Sequence, residues 1–225
     1  MRKIKIVVLA LIGFQMMTGC SSLNNMQKGG MIGAGAGTLL GAGIGKLAKN
    51  TAAGAIIGAA VGGTAGVLIG RYMDKQAMDL QKEVKNAKIE RIGEGIKVTF
   101  DSGILFAINS SDLSAQARSN IDQLATVLKK YKDTNILIEG HTDDTGKLDL
   151  NMALSERRAG SVANYILNQN VASDRIVTKG YGPTQPIVEN NSDANRALNR
   201  RVEVAIYANN KLKTAAANGT VPGVN

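Results

Sequence analysis

The chain has 225 residues, a formal net charge of +9, one cysteine, one histidine and no tryptophan. The charge is unevenly placed: residues 95–208 hold 13 basic and 13 acidic side chains, and the excess sits in residues 1–49, with single additions in residues 71–94 and two lysines in the tail. That distribution lacks the clustered basic face with interleaved aromatics that nucleic-acid binding requires, and one cysteine excludes an intramolecular disulfide.

Arg2, Lys3 and Lys5 precede an apolar run over residues 6–14, closed by Met17, Thr18, Gly19 and Cys20. Residues 1–19 read as an export signal, since the run is shorter than the roughly 20 apolar residues a bilayer-spanning helix needs. The end of the segment resembles a bacterial lipobox, with Met17 where leucine is usual. The resemblance implies acylation at Cys20, and three acyl chains exceed the two signals that stable anchoring takes. Ser21 and Ser22 follow with no Asp after the cysteine, which points to outer-membrane sorting. Residues 20–28 are a lipidated linker on this reading.

Residues 29–70 change abruptly to Gly, Ala, Ile, Leu and Val. Gly33, Gly37, Gly41 and Gly45 recur every four residues, and so do Gly54, Gly58, Gly62, Gly66 and Gly70. In a helix such spacing makes a flat stripe on which another backbone packs closely. Each interior glycine costs about 1 kcal/mol relative to alanine, so order must come from packing. A glycine-zipper helical hairpin turning at residues 46–50 is predicted, associated with a membrane or self-associating into a homo-oligomer; a low-complexity spacer is the other reading. Leu40 and Leu47 stand where a phosphate-binding loop needs Gly and Ser or Thr, so no nucleotide cofactor is expected. Met73, Ala77, Leu80, Val84 and Ala87 then mark residues 71–94 as an amphipathic connector helix.

From residue 95 the pattern is that of a folded domain. Ile96, Val98 and Phe100 alternate with polar residues and predict a strand; Ala117, Ile121, Leu124, Leu128 and Tyr131 predict a helix over 114–131. A short strand at 135–139, a helix over 150–168 and strands at 175–180 and 201–207 complete a β-α-β-α-β-β order. The fold class is α+β, two helices on one face of a mixed sheet, long enough to bury a core. The tail, residues 209–225, shows no periodicity and reads as disordered.

Several short motifs fall in this domain: Phe106 to Asn109, the turn Gly140, His141, Thr142 and Asp143, then Asn151, Leu154, Ser155, Glu156, Arg157, Arg158 and Ala159, followed by Gly180, Tyr181, Gly182, Pro186, and Asn199, Arg200, Arg201, Val202 and Glu203. In this order they resemble the OmpA C-terminal-like domain, a non-covalent peptidoglycan-binding module of Gram-negative envelope proteins. The resemblance implies that Asp143 accepts from the ammonium of diaminopimelate in the stem peptide and that Arg158 grips its carboxylate, where a planar fork allows bidentate bonding. Thr142, Asn109 and Asn151 match further pocket positions. Arg157 points about 100° away around the helix. Without the resemblance, Asp143 and Arg158 read equally as a surface salt bridge worth about 0–1 kcal/mol. Arg200 and Arg201 either line the ligand path or anchor the last strand.

An enzymatic role has little support: Ser155 and Ser161 lie on a helix with no nucleophile elbow, and a metal site built from His141 with Asp143, Asp144 and Asp149 would lack thiolates. His141 reads as a hydrogen-bonded histidine at a strand end. An ion-driven motor subunit needs an acidic residue in its membrane helix, and residues 29–70 contain no Asp or Glu. The predicted function is therefore a non-catalytic outer-membrane lipoprotein tethered to peptidoglycan, with a membrane assembly or conduit built on the glycine hairpin as the alternative.

Overall fold

The structure, a computed structural model, describes residues 51–224. Cys20 and the first glycine repeat lie outside the described residues. Seven helices and five strands follow in order: α1 (Thr51–Gly58), α2 (Gly63–Glu83), β1 (Lys88–Ile92), β2 (Gly95–Asp101), α3 (Ser102–Leu105), α4 (Ala115–Lys130), β3 (Thr134–His141), α5 (Leu148–Asn168), β4 (Ile176–Gly182), α6 (Asp193–Asn199), β5 (Arg201–Ala208) and α7 (Asn210–Ala217). The fold class is α+β, with one mixed sheet in the order β1-β2-β5-β3-β4; β3 and β4 are parallel and the other neighbours antiparallel.

The sheet's two faces follow from strand parity. Ile96, Val98 and Phe100 of β2, Ile136 and Ile138 of β3, and Val202, Val204 and Ile206 of β5 join Ile121, Leu124 and Leu128 of α4 and Val162 and Ile166 of α5 in one core. The close seating of α5 depends on glycine: a side chain on Gly140 or Gly180 would collide with the α5 backbone at Ser155 and Glu156. Ser114 caps α4, its hydroxyl accepting from the Ala117 amide at 3.0 Å.

Three segments depart from the sequence reading. The connector helix ends at Glu83 instead of continuing through residue 94, because Asn86 takes a left-handed φ of 55° and the chain turns into the edge strand β1. The sheet therefore has one strand more than predicted. The tail is ordered where disorder was expected: Asn209 caps α7, and Leu212, Ala216, Val221 and Val224 are buried in the main core. The second glycine stretch is two helices, since α1 ends at Gly58 and α2 begins at Gly63 after Gly62, whose φ is 72°.

The break between α1 and α2 is held by one side chain. Glu94 accepts from the amides of Val61 and Gly62, each at 2.8 Å. From there α2 continues into the domain core through Ile69, Tyr72, Met73, Ala77 and Leu80, and Tyr72 meets Tyr131 edge-on at 5.2 Å. The stripe predicted on the connector thus packs on the domain itself. On the opposite sheet face, α1 lays Ala52 and Ile56 against Leu137 and Ala205. Among the described residues, no helix is long and apolar enough to cross a membrane.

Candidate functional site

A groove of about 510 Å³ opens where β3 ends, between the α3–α4 loop, the first turns of α5, and α6. It is lined by the five predicted positions Asn109, Thr142, Asp143, Asn151 and Arg158, together with Phe106 and Ala107 from the motif that ends at Asn109, Arg200, which the sequence left open, and Arg196, which it did not single out. Asp143 lies two residues past the end of β3, and Arg158 stands on α5. The glycine contacts that seat α5 on β3 and β4 are therefore what bring the two to one groove.

Asp143 and Arg158 do not pair. The Asp143 carboxylate accepts from Arg200 Nη1 at 2.5 Å and from the Thr145 amide at 2.9 Å. Burial raises its pKa, but these bonds outweigh burial and hold the group below its ordinary value. The Arg158 side chain is buried; its Nε donates to the Ser110 carbonyl at 2.9 Å and Nη2 to that of Ala107 at 3.4 Å, and the guanidinium lies 5.1 Å from the Phe106 ring centroid. Burial lowers its pKa, and Arg200 and Arg157 add repulsion that Asp143 only partly offsets. Arg196 is matched to Asp193 and Arg200 to Asp143. Among the described residues Arg158 is the groove arginine without a carboxylate partner.

The supporting polar groups have defined jobs. Thr142 donates its hydroxyl to the Asp143 carbonyl at 2.8 Å while its amide bonds the Gly182 carbonyl, and Asn151 donates to the Thr145 carbonyl at 2.9 Å, closing the turn that presents Asp143. Asn109 holds a left-handed φ of 57° in the loop whose carbonyls orient Arg158. Asn199 accepts from the amides of Ile187 and Val188 and so fixes the loop after β4.

The two arginines left open by the sequence separate. Arg200 faces the groove; Arg201 is buried and donates to Glu203 at 2.6 Å. Their parity around the first residue of β5 was the available signal. His141 is corrected more sharply: its ring stacks on Tyr181 at 5.6 Å on the sheet face that α1 covers, and neither ring nitrogen has a hydrogen-bond partner among the described residues. It does not join Asp143, Asp144 or Asp149.

The OmpA family model matches residues 105–200 and a YMGG-like Gly-zipper model matches residues 1–74. A probable lipoprotein, YiaD of Escherichia coli strain K12, is 36% identical over 91% of this chain and 98% of its own length. This chain belongs to the OmpA family. Among solved structures, a putative MotB-like protein from Desulfovibrio vulgaris has a TM-score of 0.55 and 25% identity, covering 63% of this chain and 96% of that one. The cell wall anchor of the type VI secretion system from Pseudomonas aeruginosa has a TM-score of 0.53 and 27% identity, covering 61% and 97%. This family member thus carries the OmpA domain behind a glycine-zipper segment, with α1, α2 and α7 packed around it.

Proposed function

We propose that this protein is a non-catalytic envelope lipoprotein that binds peptidoglycan through the groove around Asp143 and Arg158, tethering the outer membrane to the wall. The observation that carries the reading is the unmatched guanidinium of Arg158, held by two carbonyls and the Phe106 ring in the same groove as an ionised Asp143. A cation fixed at one side of a groove and a carboxylate at the other suit a zwitterion. The diaminopimelate end of a stem peptide has that chemistry, its carboxylate meeting Arg158 and its ammonium meeting Asp143. Arg200, partly exposed, is displaced or shared when the ammonium arrives. The solved cell wall anchor of similar fold supports a wall ligand for this chain.

On this reading Cys20 carries the lipid and the domain works in the periplasm. Similarity to a probable lipoprotein over nearly the whole chain supports that placement. Assembly through the glycine stripe is the second reading, favoured by the space in front of Gly54 and Gly58, where no atom of the described residues lies within 4 Å. The test is co-sedimentation of the detergent-solubilised full chain with peptidoglycan sacculi. Wild type is expected in the pellet and a folded Arg158→Ala variant in the supernatant; equal pelleting of both would remove the groove from the account.

A further inference from the structure

The sheet face under α1 gathers polar groups that the groove does not use. In the β3–β5 register Glu139 stands directly opposite Glu203, and both are fully buried, at 0% and 1% exposure. Like charges in that cross-strand position repel. One guanidinium, Arg201, is committed to Glu203 at 2.6 Å, whereas Glu139 has no Lys or Arg ion pair among the described residues. His141, next but one along β3, brings its Nε2 to 3.7 Å from Glu139 Oε2. Its two ring nitrogens and Glu139 Oε1 have no hydrogen-bond partner among the described residues. Buried polar atoms left unpaired cost about 1–3 kcal/mol each, so three in one place mark a site suited to a bound ligand.

We infer that Glu139, His141 and Glu203 form a binding site for a first-row divalent cation of the zinc type. The three residues offer one nitrogen and two carboxylate oxygens within 4.8 Å of one another. Ligands arranged tetrahedrally at about 2.1 Å from zinc lie about 3.4 Å apart, a closure within reach of side-chain rotation. Imidazole with carboxylates suits zinc better than calcium or magnesium, which take oxygen alone. Burial keeps the imidazole below its ordinary pKa, in the neutral form that ligates. The surroundings have the form of an outer shell: Arg201 holds Glu203 Oε1, Thr51 Oγ1 donates to Glu139 Oε2 at 2.8 Å, and Gln185 Oε1 lies 3.0 Å from the same hydroxyl. Thr51 stands on α1, so the covering helix itself reaches the site. The cation's place is between the sheet and that helix, where it neutralises the paired acids and ties α1 down.

The test uses tag-free full chain in detergent, stripped with chelator and titrated with zinc, with cobalt as a visible-absorbing replacement. Wild type is expected to bind about one equivalent and to melt about 5 °C or more higher in the zinc form. His141→Gln, which removes the chain's only imidazole, should lose the cobalt spectrum and the melting shift. Thr51→Val, at the rim, should weaken affinity about 10-fold while keeping the stoichiometry. A wild-type chain that stays substoichiometric, a His141→Gln chain that binds as well as wild type, or binding abolished by Cys20→Ser would each overturn the site.

Discussion

Arg200 donates to Asp143 at the groove mouth, whereas Arg158, deeper in the same groove, is oriented by the carbonyls of Ala107 and Ser110 and has no carboxylate of its own. The two arginines therefore respond differently to removal. A charge-assisted hydrogen bond contributes about 1.5–3 kcal/mol, so Arg158→Ala is expected to weaken sacculus binding about tenfold or more. Arg158→Lys should fail to restore it, because a point charge lacks the bidentate fork. Arg200→Ala frees Asp143 and should cost less than either. Pelleting isotherms for the three variants, with far-ultraviolet circular dichroism as the folding control, rank them; the reverse order would show that Arg200 is the anion grip.

The glycines of the zipper segment are not equivalent. A side chain on Gly66 would strike Glu94, while one on Gly54 or Gly58 would meet nothing within 4 Å among the described residues. Gly54→Ala and Gly58→Ala should each stabilise the solubilised monomer by about 1 kcal/mol through helix propensity, whereas Gly66→Ala and Glu94→Ala should destabilise it, the latter by about 1–3 kcal/mol for the amides left unpaired. Urea unfolding distinguishes them. Destabilisation by Gly54→Ala would reveal a backbone packed on that stripe in the assembled protein.

Docking of α2 has a pH dependence that can be read at Asp79. Hydrogen bonds from Lys130 at 2.6 Å and Tyr131 at 2.8 Å hold its carboxyl below the ordinary 3.8, with the Lys130 bond the largest influence and burial opposing it. A depressed folded-state pKa adds stability above the unfolded value and loses it as pH falls through the folded one. Asp79→Asn should therefore be less stable than wild type at neutral pH, with the gap closing as the pH drops below 3.8. Chemical denaturation at several pH values measures it, and a gap independent of pH would mean that packing rather than charge holds the contact.

The tail helix belongs to the core. Leu212 is fully buried, so Leu212→Ala should cost about 2–5 kcal/mol, and a chain ending at residue 209 should lose at least as much. Thermal melting decides; unchanged melting of the truncated chain would show that α7 adds nothing to the fold.

Periodicity made the helices and interior strands legible where one face is uniformly apolar, as at Ile121, Leu124 and Leu128 or Val202, Val204 and Ile206. It failed where burial is partial or the element short. Val84 and Ala87 continue the helical spacing past the end of α2, and only the left-handed Asn86 and Gly93 betray the turn into β1. In α7 two buried positions, Leu212 and Ala216, are too few to establish a period. The groove was legible as a set of positions, but the partner of Asp143 was not, since Arg200 precedes a strand and its direction depends on how β5 enters the sheet. The polar half of β3 and β5 reads as a solvent face, because the helix that covers it comes from a glycine-rich segment distant in sequence.

The seating of α1 on the sheet also determines where mechanical load enters. With a lipid at Cys20 and a wall ligand in the groove, load along the chain passes through α1, the helix lying across β2, β3 and β5. Pulling there shears Ala52 and Ile56 away from Leu137 and Ala205 before it reaches the Glu94 anchor at residues 61–62. The helix then acts as a sacrificial link, lengthening the tether while α2, the sheet and the groove keep their shape.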